Sequence, residues 1–409
     1  MIGACFTSQT SLAQEETKTL SPVVVTATRV EQDSFDVPVS IDRVEKNNIQ
    51  DGQLRMTLSE SLSRVPGITA QSRNQMAQDP QISSRGFGAR SAFGVRGIRL
   101  YVDGIPLSMP DGIGNPGSID LSAIGAIEVL RGPFSAMYGS SSGGVIQLFT
   151  DKAPATPEVS GDVLFGSFNT RKESVQAAGV RNGVEYLLNY SDYSSDGFRT
   201  QSKNDKQQAT ARLGVQISQD TKLTTLINWF DQFAQDPGGL IGTKSAGTTA
   251  ATAANPGALP GAAVYNPSGA STGAIQANTR VIRSNTQVGF NLEHKYDNNN
   301  TFNFITYAGQ RDNLQYLSVP SGGSFTPGRA SSISRTFYGA ELRGTNRGNL
   351  YDKAYTLTYG INLGYMSDGR LDQPASSGNI TGAAATRDEN QKANNFDQFV
   401  QGMWSVAER

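Results

Sequence analysis

Residues 355–366 carry a large apolar side chain at every second position. Tyr355, Leu357, Tyr359, Ile361, Leu363 and Tyr365 would share one face of a strand, and Thr356, Thr358, Gly360 and Asn362 the other. The same period recurs at Ala209, Ala211, Leu213, Val215 and Ile217, and again at Val288, Phe290 and Leu292. Alternation held for about ten residues is what a tilted strand needs to cross a bilayer's hydrocarbon layer. Only helices and closed barrels cross lipid with every backbone group paired. No uncharged stretch approaches the ~20 residues of a transmembrane helix. The chain is only 37% hydrophobic and holds 44 Gly in 409 residues, which suits strands with one face on water. The pattern predicts a transmembrane β-barrel.

Ten strands are predicted, at about 158–167, 170–180, 184–193, 207–218, 221–233, 283–296, 300–312, 335–345, 353–367 and 395–405. Their connections alternate in length after the first hairpin. Arg181-Asn182-Gly183, Gln219-Asp220, Asp297-Asn298-Asn299-Asn300 and Arg347-Gly348-Asn349 are short and rich in residues that accept positive φ. Between them fall long connections at 194–206, 234–282, 313–334 and 368–394. An up-and-down barrel with short turns at one end and long loops at the other produces this rhythm. A soluble sandwich, the rival all-β reading, has no reason to gather its long loops at one end. Tyr186, Tyr190, Phe230, Tyr296, Phe337 and Tyr365, near strand ends, suit interfacial aromatic girdles. Ten strands close only a narrow barrel, too small to hold the residues that precede them. The chain is therefore expected to be the first part of a longer protein.

Other classes are disfavoured by composition. A net charge of −1 gives no bulk attraction to nucleic acid. Cys5 and His294, the single cysteine and histidine, leave no internal disulfide, no Cys-based zinc site and no His cluster. With no Ser-His-Asp or paired-carboxylate constellation, no catalytic site and no protein metal site or cofactor are expected. Ser11-Leu12-Ala13 resembles the small-residue end of a secretory signal, so residues 1–20 are read as a leader remnant.

Ahead of the strands, Ile82-Ser83-Ser84-Arg85-Gly86-Phe87-Gly88, Leu100-Tyr101-Val102-Asp103-Gly104-Ile105-Pro106, Ile127-Glu128-Val129-Leu130-Arg131-Gly132-Pro133 and Gly143-Gly144-Val145-Ile146 occur in order. A helix candidate at 54–65, stopped by Pro66-Gly67, precedes them. Together they resemble the plug domain of TonB-dependent outer-membrane receptors. The resemblance implies a mainly β fold: an N-terminal α/β plug inside a transmembrane barrel of about 22 strands, of which about ten are present here. It also implies an organisation: leader 1–20, TonB box and linker 21–34, plug 35–153, and the start of the barrel at 154–409.

Within that frame, Val23, Val24, Val25, Thr26 and Ala27 resemble the TonB box, and Pro22 with β-favouring valines suits a strand that adds to a partner's sheet. The implied partner is the TonB C-terminal domain of the TonB-ExbB-ExbD energising complex. Arg85 and Arg131 stand in the family's plug motifs, where the resemblance implies plug–barrel pairing with glutamates on later strands. Arg73, Arg90, Ser91, Met109 and Asp111, on segments matching the outward plug loops, are the expected ligand contacts, with Arg96 adding positive charge. Arg311, Arg329 and Arg335 are weaker candidates near the mouth. The implied protein is a monomer embedded in the lipid of the Gram-negative outer membrane. It takes up a ferric chelate of siderophore or citrate type, and the run from Gly86 to Ile146 looks closest to ferric dicitrate-type receptors. Cobalamin, haem and thiamine receptors, and a non-energised surface-binding protein, remain alternatives.

Overall fold

A computed structural model describes residues 24–25, 32–33, 40–73, 75–91, 94–131, 137–139, 141–238, 272–321 and 324–405. The segment read as a leader, 1–20, lies outside them, as do Val23, Thr26 and Ala27.

The N-terminal part is built on one five-stranded sheet. Its members are β1 (Ser40–Glu45), β2 (Ile98–Val102), β3 (Ile105–Pro106), β4 (Ile124–Arg131) and β5 (Gly144–Thr150), in the order β1-β4-β5-β2-β3. β5 runs parallel to β2 and the other pairs are antiparallel. All five residues of β2 are buried, as are seven of the eight in β4. Strands covered on both faces read as apolar runs without alternation, so period-two patterning is missing here. Two short helices, α1 (Lys46–Gln50) and α2 (Leu58–Leu62), add Ile49, Leu58 and Leu62 to the core. The helix expected at 54–65 begins only at Leu58. The Glu60 carboxylate accepts from the amides of Arg55, Met56 and Thr57 at 2.7–2.9 Å, and Arg55 holds φ +61. That capping box fixes the start late.

From Glu158 the chain is a meander of ten antiparallel strands. They are β6 (Glu158–Gly166), β7 (Thr170–Arg181), β8 (Val184–Ser195), β9 (Asn204–Ser218), β10 (Thr221–Gln235), β11 (Arg280–Lys295), β12 (Asn300–Ser321), β13 (Ser324–Leu350), β14 (Lys353–Ser376) and β15 (Arg387–Trp404). Each pairs with the next, and among the described residues β6 and β15 pair on one side only. Inward positions are polar and buried, as at Lys206, Gln208 and Thr210; outward ones are apolar and exposed, as at Leu213, Val215 and Ile217. The face of Tyr355 to Tyr365 points outward, its Tyr359 and Leu363 nearly half exposed. Phe230 and Phe337 depart from the girdle expectation. They fall on the inward phase and are 1% exposed, Phe337 in one buried cluster with plug side chains and Phe230 beneath the Lys206 ammonium.

Two connections are shorter than alternation indicates. Residues 313–334 and 368–394 largely continue β12 into β13 and β14 into β15, with cross-strand pairing from Asn313↔Ile333 to Leu317↔Arg329. The backbone ladder persists there although the apolar stripe ends, and the inward face stays buried at Tyr316, Ala330, Asp372 and Ala375. The tight turn expected at 347–349 sits instead at Tyr351-Asp352, whose φ values are +53 and +59.

Candidate functional site

The plug meets the barrel wall through buried ions. Lys172 on β7 is fully buried, and its Nζ donates to the carbonyls of Leu54 (3.1 Å) and Arg55 (3.2 Å) and to Ser122 Oγ (2.9 Å). The Arg55 guanidinium grips Asp162 on β6 with two nitrogens, one at 3.0 Å. Asp120, 3% exposed, caps its own turn through Ser122 N and accepts from Asn189 and Ser191 on β8. Lys206 on β9 donates to the Gly117 carbonyl at 2.7 Å. Charges taken from water persist only when paired or hydrogen-bonded, so each contact registers the plug against the wall. On this side the barrel lysines meet plug carbonyls, while the pair of Arg55 with Asp162 runs the other way, plug cation to wall carboxylate.

Toward the long-loop end a cavity of about 190 Å³ opens between plug and wall. The plug lines it with Arg73, Gln78 and Asp79; β11, β12 and β13 line it with Arg283, Arg311 and Arg335. Arg283 lies 3.1 Å from Asp79 and donates to the carbonyls of Met76 (2.8 Å) and Ala77 (3.2 Å). Arg335 holds Asp368 through two bonds of 2.7 Å and reaches Asp111 at 3.3 Å. Four guanidiniums thus face three carboxylates, leaving a positive surplus. Planar, permanently charged forks in a partly dry cleft suit a polyanion with several oxygens.

The residues expected from the sequence are distributed unevenly. Arg73 lines the cavity, its Nη1 2.5 Å from Gln78 Oε1. Asp111 stands at its edge on Arg335. Arg90 is exposed on the turn after Gly88, which Ser91 ties by donating from Oγ to the Gly94 carbonyl (2.8 Å); neither lines the cavity. Met109 is a correction: it is 3% exposed in the buried apolar cluster and does not line the cavity. Arg131 is held by Asp42 and the Pro66 carbonyl inside the plug, and Arg85 is exposed beside Gly67 with φ +48. Val24 and Val25 form a two-residue strand paired with Gln32 and Asp33. Arg311 and Arg335, ranked lower from sequence, line the cavity, whereas Arg329 lies 3.7 Å from Asp372. Arg283 was missed, although its phase on β11 set it on the lumen side.

A second cavity, about 380 Å³, lies at the short-turn end between Tyr101, Asp103, Tyr138 and Gln147 of the plug and Glu293, Lys295, Glu341 and Arg343 of the wall. Asp103 opens the Asp103-Gly104 turn with φ +47 and accepts from Thr150 N (3.0 Å) and Oγ1 (2.7 Å). Burial pushes its carboxyl above the ordinary value, against the pull of Arg212 and those bonds. His294 is also at this end, hydrogen-bonded to Thr221 at 2.9 Å.

A sheet domain held inside a wall that is polar inward and apolar outward defines a plugged transmembrane barrel. Residues 33–146 match the family described as TonB-dependent Receptor Plug Domain, so this segment is a plug of the TonB-dependent receptor type. Among curated relatives, a vitamin B12 transporter BtuB of Vibrio vulnificus is 33% identical over 194 residues, 46% of this chain and 30% of that protein. A hemin receptor of Yersinia pestis is 33% identical over 141 residues, 34% of this chain and 19% of that protein. The unliganded ferric citrate transporter FecA shares the fold with a TM-score of 0.76 at 19% identity, over 95% of this chain and 57% of that one. The chain thus spans well under two thirds of the length of these relatives. They are receptors and transporters rather than enzymes.

Proposed function

We propose that the complete receptor actively takes up an anionic ferric chelate, of siderophore or citrate type, across the outer membrane. The observation that carries this reading is the arginine-lined cavity at the long-loop end, where Arg73, Arg283, Arg311 and Arg335 outnumber their carboxylates. On this reading iron enters inside its chelator, whose oxygens meet the arginines. The segment Val23 to Ala27 serves as the TonB box, with Val24–Val25 already an edge strand that a partner sheet can capture. Arg85 and Arg131 secure the plug, and Arg90 and Ser91 extend the ligand surface outward.

Cobalamin or haem is the second reading, favoured by the identity to the vitamin B12 and hemin receptors. A binding panel on the full-length protein, with ferric citrate, a ferric catecholate, haemin and cyanocobalamin, separates the two. Arg73→Ala with Arg311→Ala should weaken the anionic chelate about tenfold per lost charged contact and leave cyanocobalamin unchanged. Tight cyanocobalamin binding with no ferric chelate bound would replace the first reading by the second.

A further inference from the structure

Two adjacent rows of outward side chains cross β11–β15. In the row nearer the long loops Val288 pairs with Ala308, Ala308 with Tyr338, Tyr338 with Tyr365 and Tyr365 with Asn394. In the row below it Phe290 pairs with Thr306, Thr306 with Ala340, Ala340 with Leu363 and Leu363 with Phe396. Both rows pass through small residues on β12 and β13 and end on large ones, so the wall is dented there. The dent is a groove of about 660 Å³ on the face opposite the plug. Phe290 forms one bank, and Tyr338, Leu363 and Phe396 the other, all of them exposed. The rings of Tyr338 and Tyr365 stack at 5.0 Å, which stiffens the second bank.

The groove begins where the outward face changes character. One row nearer the long loops every position is polar: Thr286, Gln310, Thr336, Ser367 and Lys392, paired in that order. One row nearer the short turns Leu292, Phe304, Leu342 and Ile361 continue the apolar surface. The tyrosine pair thus marks the boundary between headgroups and hydrocarbon, and the groove runs from it into the hydrocarbon. At that boundary Asp312 accepts from Gln310 at 3.2 Å, whereas Lys392 is exposed.

Lipid tails are as apolar as the wall, so burial by itself selects no particular chain. Shape selects: a tail lying in a groove meets wall atoms on its flanks as well as beneath it. A lysine at the groove's upper end adds attraction for an anionic headgroup. We propose that this groove binds one lipid of the outer leaflet, a phosphorylated glycolipid of the lipid A kind, with an acyl chain along β12–β13 and a phosphate at Lys392. The groove occupies the long-loop half of the wall, which faces the leaflet where such glycolipids carry the phosphate. This rests on the outer-membrane reading above and concerns a lipid partner, not the cargo.

The test uses purified, delipidated full-length receptor in detergent. Lipid A, phosphatidylglycerol and phosphatidylcholine are titrated separately, and bound lipid is counted by native mass spectrometry. One lipid A should bind most tightly, and phosphatidylcholine least. Ala308→Leu with Ala340→Leu fills the groove with side chains that suit a lipid-facing strand, and should weaken lipid A about tenfold. Lys392→Gln should weaken it about fivefold and leave phosphatidylcholine unchanged. A control pair, Ala209→Leu with Ala211→Leu, adds the same bulk on the outward phase of β9, the phase of Leu213, and should leave lipid A binding at the parent's level. A receptor that stays dispersed without detergent would end the membrane reading itself. With that reading intact, equal affinity for all three lipids, or equal loss from the two leucine pairs, overturns the groove. Phosphatidylglycerol held as tightly as lipid A overturns the glycolipid as its occupant.

Discussion

At the residue scale the seam between plug and wall turns on single buried cations. Lys172 is informative because it serves backbone carbonyls rather than a counter-ion. Lys172→Met keeps the apolar stem and leaves the Leu54 and Arg55 carbonyls without a donor, at a cost of about 2 kcal/mol. Amide exchange over 54–62 should quicken roughly thirtyfold, while β10–β12 keep their protection; unchanged exchange at 54–62 would refute the anchor. Asp103 gives a pH-dependent case. Its raised carboxyl pKa means that ionisation costs the folded state stability as pH climbs through the ordinary carboxylate value, with the full penalty above the raised one. Asn tolerates the same positive φ and accepts from Thr150 N. Asp103→Asn should therefore raise plug protection near neutral pH and flatten its decline between acid and neutral. Equal protection of parent and variant at neutral pH would mean that Arg212, with its Nε 3.8 Å away, outweighs burial. Sequence reasoning reached Arg73 but neither Lys172 nor Arg283. A lysine on the lumen phase reads as solvated until the fold brings up a partner 117 or 118 residues away. Met109 failed in the opposite direction, since loop position says nothing about which way a side chain turns.

At the scale of elements, alternation revealed the ten long barrel strands among the described residues, because lipid on one face and a polar lumen on the other impose a period of two. It failed where that contrast ends: in the upper halves of β12–β14, where polar residues such as Asp368 and Asp372 are buried inward and no apolar stripe faces outward, and in β2 and β4, buried on both faces. If the short N-terminal strand is the TonB box, as proposed, pairing itself is its function. Val24 and Val25 pair with Asp33 and Gln32, so a partner sheet must take over that ladder. Proline at 24 removes a donor and resists central strand positions. Val24→Pro should leave chelate binding within twofold of the parent and reduce uptake at least tenfold in a whole-cell accumulation assay. Undiminished uptake would detach this segment from energy coupling.

At the scale of the whole molecule, the lumen beside β7–β14 is occupied by plug, with cavities of about 190 and 380 Å³ separated by a packed septum. On the proposed uptake reading a chelate of several hundred daltons needs that septum to open, and opening removes Ile105, Leu107 and their partners from a core cluster. Burial of those side chains holds the septum closed by about 1.5–3 kcal/mol each, several kcal/mol together, so spontaneous opening is rare. Ligand in the upper cavity contacts arginines above the septum, and a coupling of ~1–3 kcal/mol between sites is typical. On the uptake reading proposed above, binding by itself falls short of opening it, and work arrives from elsewhere, through the N-terminal strand. Collapsing the proton gradient with an uncoupler should then abolish accumulation of labelled ferric citrate in cells bearing the receptor, while surface binding at ice temperature persists. A passive pore would fill to the external concentration under both conditions. Uptake that continues after the gradient is lost would leave a barrel whose septum opens by thermal motion, and the several kcal/mol assigned to its apolar contacts would be wrong.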